Sequence, residues 1–514
     1  MEDQLMDEER TKQSLTRRLF LKRAAGGVAA TALLAACGGT AETPAGSAPT
    51  TAAGTEPTAA TAAEPTAAAG AEPTAATAAE PTAVPAAEPT VDPALPTPEP
   101  TVAVSELGSG TNQLVFWHGL GGADLATLNQ MLKSYADSKP EIALRAEQYD
   151  WGVFYQKVPT AAVAGSPPDL AIMHEWGILQ FAGQGLIQPM DDIMYNTGLV
   201  KKDDFNKTLM DAITVDGKTM AVPFDNHGWG LFYNTQLITE AGLDPENLPK
   251  NGAEFLEWAN KLTVDEAGKH PNEDGFNGDK VKVWAIHNSW QRFTMPSTFW
   301  QFGGGIISED GKTALLNSPG TVAATQYWHD LMYKYKVCPP AVPGTPSGGD
   351  LYKTNSLAFW WDGSWSLNFF KDNPDAEKVT KAGRLNSLAP DGKEAAKIAS
   401  HMLVIPVGIE GDRLERAKDM IKWMSDNGKT WAQSGQVPAR LSVQEDPDVQ
   451  GIWSVKAFAE EFKSIGRPDV THPAATEIQT TWEAAVSAAL ANTTPVQQAL
   501  DEGNAALQAI LDRG

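Results

Sequence analysis

Residues 223–240 read Pro223-Phe224-Asp225-Asn226-His227-Gly228-Trp229-Gly230-Leu231-Phe232-Tyr233-Asn234-Thr235-Gln236-Leu237-Ile238-Thr239-Glu240. A small or apolar residue opens the run. After a spacer come a small residue, two apolar residues and Tyr-Asn, and then an apolar residue and a charged one. Upstream, Leu114-Val115-Phe116-Trp117 is a short apolar run that predicts a buried strand. Gly119-Leu120-Gly121-Gly122-Ala123-Asp124 follows, with Asp124 as the predicted N-cap. The helix after it carries Leu125, Leu128, Met131, Leu132 and Tyr135 at spacings of three and four. Ile142 to Ala146 predicts a second strand, Trp151 to Ala164 a helix, and Asp169 to Met173 a third strand. A further helix ends near Gly185. Strands and helices alternating over short links predict a parallel or mixed α/β sheet. Ligands of such sheets lie beyond the C-terminal strand ends. That rule selects Trp117-His118-Gly119 and His174-Glu175-Trp176, although each polar residue alone also suits a helix cap or an exposed loop.

The 223–240 pattern resembles the signature of family 1 extracellular solute-binding proteins of ABC importers, the maltose-binding-protein-like group. Other blocks keep it company. Asp169 to Leu186 has the spacing of an Asp-strand-helix-Gly-Leu block, and Leu262-Thr263-Val264-Asp265 with Gly268-Lys269-His270-Pro271 is similar to a variant loop of the family. Phe359-Trp360-Trp361-Asp362-Gly363-Ser364-Trp365 resembles its Gly-x-Trp segment. Leu403-Val404-Ile405-Pro406-Val407-Gly408 looks like a second crossing between lobes, and Gly435 to Arg440 is similar to the late Gly-x-x-Pro loop. The resemblance covers residues 111–514. It implies an α/β, two-lobed periplasmic-binding-protein type II fold, with a hinge and an interlobe cleft. Lobe I would comprise about 111–224 and 406–440, lobe II about 225–405 and 441–514.

The N-terminus reads as an address. Thr16-Arg17-Arg18-Leu19-Phe20-Leu21-Lys22 has the twin arginine of a Tat export signal. The weakly apolar run after it is too short to span a bilayer permanently. It ends Leu34-Ala35-Ala36-Cys37-Gly38, which resembles a lipobox, with Cys37 as the acylated residue; residues 1–37 are then a signal segment. Residues 38–110 hold no aromatic and no basic residue, and Glu-Pro-Thr recurs at 56–58, 64–66, 72–74, 80–82 and 88–90. Such a chain buries too little apolar area to offset its entropy and predicts a disordered stalk. The chain has 40 basic against 64 acidic residues, a net charge of −24, which argues against a nucleic-acid partner. Two cysteines rule out a disulfide framework. Cys338 is read as an inert loop or core thiol.

A neutral hydrophilic ligand needs aromatic faces against its C–H surface and fixed polar groups for its hydroxyls. Sixteen Trp against nine Tyr supply the first. Trp258, Trp328, Trp423 and Trp482 fall in helical runs and read as core. The ligand-binding candidates are His118, Glu175 and Trp176 in lobe I, and Asp225, Asn226, His227 and Trp229 at the crossing. Lobe II offers Trp290, Gln291, Trp300, Asp362 and Trp365. Arg440 either meets ligand or braces the lobes. The resemblance implies that Glu175 and Trp176 line the cleft and that Trp365 stacks on the ligand. It further implies a carbohydrate as ligand, ABC permease subunits as partners, a monomer anchored outside the cell membrane, and no enzyme activity. No cofactor is expected. The eight histidines show no metal-ligand spacing in sequence, so no metal is expected. Asn272 to Asp279 superficially suggests a calcium loop, but Phe276 falls on a ligand position. No Walker loop, Gly-x-Ser-x-Gly elbow or His-Glu-x-x-His is present. The alternatives are a sensory binding protein and a secreted glycoside hydrolase. The hydrolase would need two carboxylates about one sugar bond, with Glu175 and Asp362 as the pair to consider.

Overall fold

Apolar strand runs that are buried on both faces need helices on either side, and this chain builds two such sheets. The computed structural model describes residues 102–513. The readings at Cys37, in the signal segment and through most of the predicted stalk lie outside the described residues. The first sheet runs in the order Ala103–Leu107, Ile142–Gln148, Asn112–His118, Leu170–His174, His401–Val404 and Val222–Pro223. Its three middle strands from the N-terminal part are parallel, joined by the helices Gly122–Ser138 and Trp151–Val163. Leu114, Phe116, Leu144 and Ile172 meet Leu128, Met131 and Tyr135 in a fully buried core. The helix Gly411–Asp426 adds Met420, Ile421 and Met424 to that core.

The second sheet is organised by one long strand, Asp225–Asn234. It pairs antiparallel with Leu357–Gly363, Thr380–Gly383, Ala396–Ala399 and Val437–Pro438 along its length. Two glycines let other elements close on it. A Cβ on Gly230 would stand 2.0 Å from Phe458 Cε1, and one on Gly228 would stand 2.8 Å from the Lys397 carbonyl oxygen. The helix Trp453–Ile465 lies on the strand through that gap. Trp328, Trp361, Phe255, Phe299 and Trp482 fill the core of this lobe. Trp328 and Trp482 are therefore core, as the sequence reading has them.

The lobes are joined by short crossings. One residue, Phe224, separates Val222–Pro223 in the first sheet from Asp225–Asn234 in the second. One residue, Ser400, separates Ala396–Ala399 from His401–Val404 on the return. The crossings are stitched together: Phe224 N–H donates to His401 O at 2.8 Å, and Ser400 Oγ–H donates to Asp225 O.

Three expectations need correction. Ala103–Leu107 is a strand, paired antiparallel with Ile142–Gln148, so ordered chain begins before residue 111. Its Ala/Val/Ser/Glu composition looks like the stalk, and only its edge pairing sets it apart. The return crossing lies at Ser400 rather than at 403–408, because His401–Val404 pairs with Leu170–His174 inside the first sheet. Asp124 is not the N-cap; Gly121 holds that position, and the buried Asp124 side chain instead accepts from Gln436 Nε2 at 2.8 Å.

Candidate functional site

The crossings bring three histidines together. His401 opens its strand directly opposite His174, the last residue of its neighbour in the first sheet. His227 stands on the crossing strand of the second sheet, and its ring lies 4.2 Å from that of His401 at an interplanar angle of 28°. Below them Asp225 is fully buried and carries no charge unsatisfied. Its carboxylate accepts from His401 Nδ1 at 2.8 Å, His227 Nδ1 at 3.0 Å, Trp431 Nε1 at 2.7 Å and His401 N–H at 3.1 Å. Burial disfavours its ionised form, but the His401 charge and these donors outweigh it and hold the carboxyl well below the usual range. Burial works against charge on His401 too, and there the Asp225 carboxylate wins and raises its pKa. His227 is lowered to about 4, by burial first and then by the neighbouring His401 charge. His174 is likewise lowered well below its ordinary value. Asp225 thus favours charge on His401, while burial favours the neutral forms of His227 and His174.

Aromatic rings surround this centre from both lobes. From the first lobe Trp151 lies 4.3 Å from His174 and stacks over His401 at 5.8 Å and 12°. Trp176 stacks parallel to His174 at 6.0 Å and 17°, and touches Tyr155 at 4.5 Å. From the second lobe Trp365 stands edge-on to His227 at 6.0 Å. Phe293 at 5.2 Å and Trp229 at 5.9 Å hold Trp365 in place, and Trp290 reaches its edge at 6.3 Å. Trp290 is 62% exposed and has φ 41°, a left-handed backbone that is unusual for a bulky side chain. A belt of rings therefore runs from Trp151 and Trp176 across the histidines to Trp365 and Trp290.

The lobes also meet beside the belt. Gln180 Oε1 accepts from Thr476 N–H at 3.2 Å and Thr476 Oγ–H at 3.0 Å. Trp176, Trp300, Ile306, Asp469, Ile478 and Trp482 line a narrow cavity of ≈ 50 Å³ next to that contact.

The structure thus gathers Trp176, Asp225, His227, Trp229, Trp290 and Trp365 from the predicted set, and puts Trp300 in the adjoining cavity. Glu175 is buried beside His174; its Oε2 accepts from Ser400 N–H at 2.7 Å, while Oε1 has no partner. Burial pushes its carboxyl up to about 7. Asn226 is half-buried, opposite Val437 on the crossing strand. Asp362 is buried under the turn that carries Trp365. It accepts from Gly363 N–H at 2.7 Å and Ser366 Oγ–H at 2.9 Å, and burial raises it to about 7. It positions Trp365.

Three candidates are engaged elsewhere. Arg440 donates to Asp204 at 2.8 Å and to Asp426 at 2.8 Å, so it braces the first lobe. Gln291 accepts from Ser487 Oγ–H at 2.9 Å. His118 is buried against Phe116 at 5.3 Å, and burial lowers it to about 4. The Asn272–Asp279 loop is tied back by Asn277 N–H to Asp265 Oδ2 at 2.8 Å.

His401, Trp151, Tyr155 and Phe293 belong to the site and were not among the candidates. Trp151 lies just past the end of the second predicted strand, so the strand-end rule could have selected it. His401 was hidden by placing the return crossing too late. The spacing of the histidines in sequence did not show that three of them come together. His174, His227 and His401 each offer a ligand nitrogen within 4.8 Å of the others. Sequence spacing reveals only local motifs, and these three are joined by strand pairing.

Two lobes around an aromatic cleft, joined by short crossing strands, define a hinged binding protein. The chain belongs to the bacterial extracellular solute-binding protein family, whose model matches residues 121–431. Among its relatives are the maltotriose-binding protein of Pyrococcus abyssi, 23% identical over 69% of this chain and 72% of that one, and the arabinooligosaccharide-binding protein of Halalkalibacterium halodurans, 24% identical over 72% and 84%. A putative binding protein of Brucella abortus is 27% identical over 40% of this chain, and the match spans 46% of its length. The fold is similar to that of an ABC transporter solute-binding protein from Thermotoga lettingae bound with alpha-D-tagatose (TM-score 0.67, 22% identity, 78% of this chain and 100% of that one). It is also similar to a maltose-bound protein of T. maritima (TM-score 0.66, 21% identity, 77% and 99%).

Proposed function

We propose that the chain is the extracytoplasmic, membrane-anchored substrate-binding component of an ABC importer, which binds a carbohydrate by hinge closure and delivers it to a permease. The observation that carries this reading is the belt of rings contributed by both lobes. Indole faces match the C–H faces of a sugar ring, and the polar groups between them meet its hydroxyls. The named ligands of the relatives, maltotriose and arabinooligosaccharide, favour the same chemistry. A ligand that touches both lobes makes all its contacts only when they are closed, so it shifts the population towards closure. No bond is made or broken in that cycle, and a monomer suffices for it. Export through the twin-arginine segment and acylation at Cys37 would keep the carrier near its permease.

Calorimetry of the full chain against mono- and oligosaccharides tests the reading, with Trp365→Ala as the companion variant. One sugar class should bind, and the variant should bind it about 10- to 100-fold more weakly. Binding of that sugar unaffected by the loss of Trp365 contradicts the assigned cleft. Hydrolysis of a chromogenic glycoside would instead establish the enzyme alternative. Cys37→Ser should release the protein from the membrane fraction, and retention there contradicts the anchor.

A further inference from the structure

The histidine cluster has a chemistry that the carbohydrate reading does not use. His174 comes from the first-lobe sheet, His401 from its crossing strand, and His227 from the second-lobe sheet. Each offers a ring nitrogen within 4.8 Å of the other two. In each ring Nδ1 is already held. Asp225 takes Nδ1 of His227 and of His401, and Tyr155 Oη lies 2.8 Å from Nδ1 of His174. The same Tyr155 oxygen accepts the His174 backbone N–H at 2.9 Å, which fixes its place. Among the described residues no hydrogen bond engages Nε2 of the three rings. In His227 and His401 the Asp225 carboxylate holds Nδ1–H, which leaves Nε2 as the lone-pair atom and strengthens each ring as a ligand, and His174 presents Nε2 in the tautomer whose Nδ1–H donates to Tyr155. Three imidazoles on separate strands suit a borderline-soft divalent ion, which displaces a ring proton where it binds, and not calcium or magnesium, which take oxygen.

We propose that His174, His227 and His401 form a three-histidine site for a divalent transition ion of the zinc class, oriented by Asp225 and Tyr155. A zinc–nitrogen length of about 2.0–2.1 Å puts tetrahedral ligand atoms about 3.4 Å apart. The rings, which offer nitrogens within 4.8 Å of one another, must therefore turn or shift inward to reach that spacing. Three protein ligands leave at least one coordination position open. Because the ligands come from both sheets, the ion would tie the lobes together at the crossings and bias the hinge towards one angle. The proposal goes beyond the carbohydrate reading and stands or falls separately from it.

The test is made on the full chain, freed of metal with a chelator, with no sugar present and near neutral pH. Zn²⁺ is titrated by calorimetry and Co²⁺ by visible absorption. One ion per chain is expected, with the strong visible bands of low-coordinate Co²⁺. X-ray absorption of the Zn²⁺ form should show three imidazole nitrogens at about 2.0–2.1 Å. His174→Gln and His227→Gln should each weaken binding by about 100-fold or more, and Tyr155→Phe by about tenfold through loss of ring orientation. No stoichiometric ion, an ion bound undiminished by the two histidine variants, or a shell without three imidazoles overturns the site. Where a variant does not fold, the absorption spectrum of the parent chain decides alone. The sugar titrations are repeated in chelator, so that failure of either reading is seen without the other.

Discussion

Trp290 concentrates the link between strain and function in one residue. Its left-handed backbone costs about 1–2 kcal/mol for an L side chain, yet its indole is largely exposed and gains little from burial. Its contact is the edge of Trp365, at the second-lobe end of the belt. Trp290→Gly should therefore raise stability by about 1 kcal/mol and lower ligand affinity several-fold. Thermal unfolding and calorimetry on the same variant read both signs, and a loss of stability refutes the strain argument. Glu461 makes the opposite case, a buried carboxyl away from the site. Its Oε1 accepts from Leu385 N–H at 2.9 Å, its Oε2 has no partner, and burial raises it well above its ordinary 4.5. A raised acid contributes stability that is complete below about pH 4.5 and is lost as pH climbs towards its folded value. Glu461→Gln removes that dependence. Relative to the parent the variant should gain stability as pH rises above about 4.5, at no more than about 1.4 kcal/mol per pH unit. A pH-independent difference would show that Glu461 titrates alike in both states.

At the scale of elements the strand Asp225–Asn234 sets both the second sheet and the site. Gly230 admits Phe458, and Gly230→Ala forces a methyl into the 2.0 Å gap at that ring. Overpacking of this kind costs about 1–3 kcal/mol. Denaturant unfolding should show that loss, and Gly230→Ala combined with Phe458→Leu should recover part of it. A neutral Gly230→Ala would mean that the helix Trp453–Ile465 does not need the close approach. In the sequence this strand was legible only through a resemblance, its small-apolar-apolar-Tyr-Asn pattern implying the first crossing between two lobes. The strands and helices from 112 to 174 were legible from the residues themselves, through apolar runs and three-four spacing. The edge strand Ala103–Leu107 was not, since pairing on one side leaves little mark on composition. Nor was the return crossing, where a single residue, Ser400, changes sheets without glycine or proline to announce it.

At the scale of the molecule the α/β character was legible in the strand–helix alternation of the N-terminal part and the two lobes only through a family resemblance, while the site was legible in part. Trp176, His227 and Trp365 could be chosen because they follow strand ends or matched blocks. Arg440 was a poor guide because Asp204 and Asp426, its partners, lie 236 and 14 residues away in sequence. The histidine cluster needed the register of His401 against His174, which no local pattern encodes. What the assembled molecule predicts is closure on a ligand. Among the described residues no helix is long and apolar enough to cross a membrane. Contacts already run between the lobes through Asp124, Gln436 and Ser364, with Gln436 bonded to both of the others. A ligand filling the belt would add to these contacts only in the closed form. The most direct measurement is thermal unfolding of the full chain with sugars, polyols, amino acids and polyamines in turn. A ligand at 100 times its Kd should stabilise the chain by about 2.7 kcal/mol. The account predicts that shift with one class of carbohydrate and none with the charged compounds. A shift with an amino acid or polyamine and silence across every sugar would contradict it.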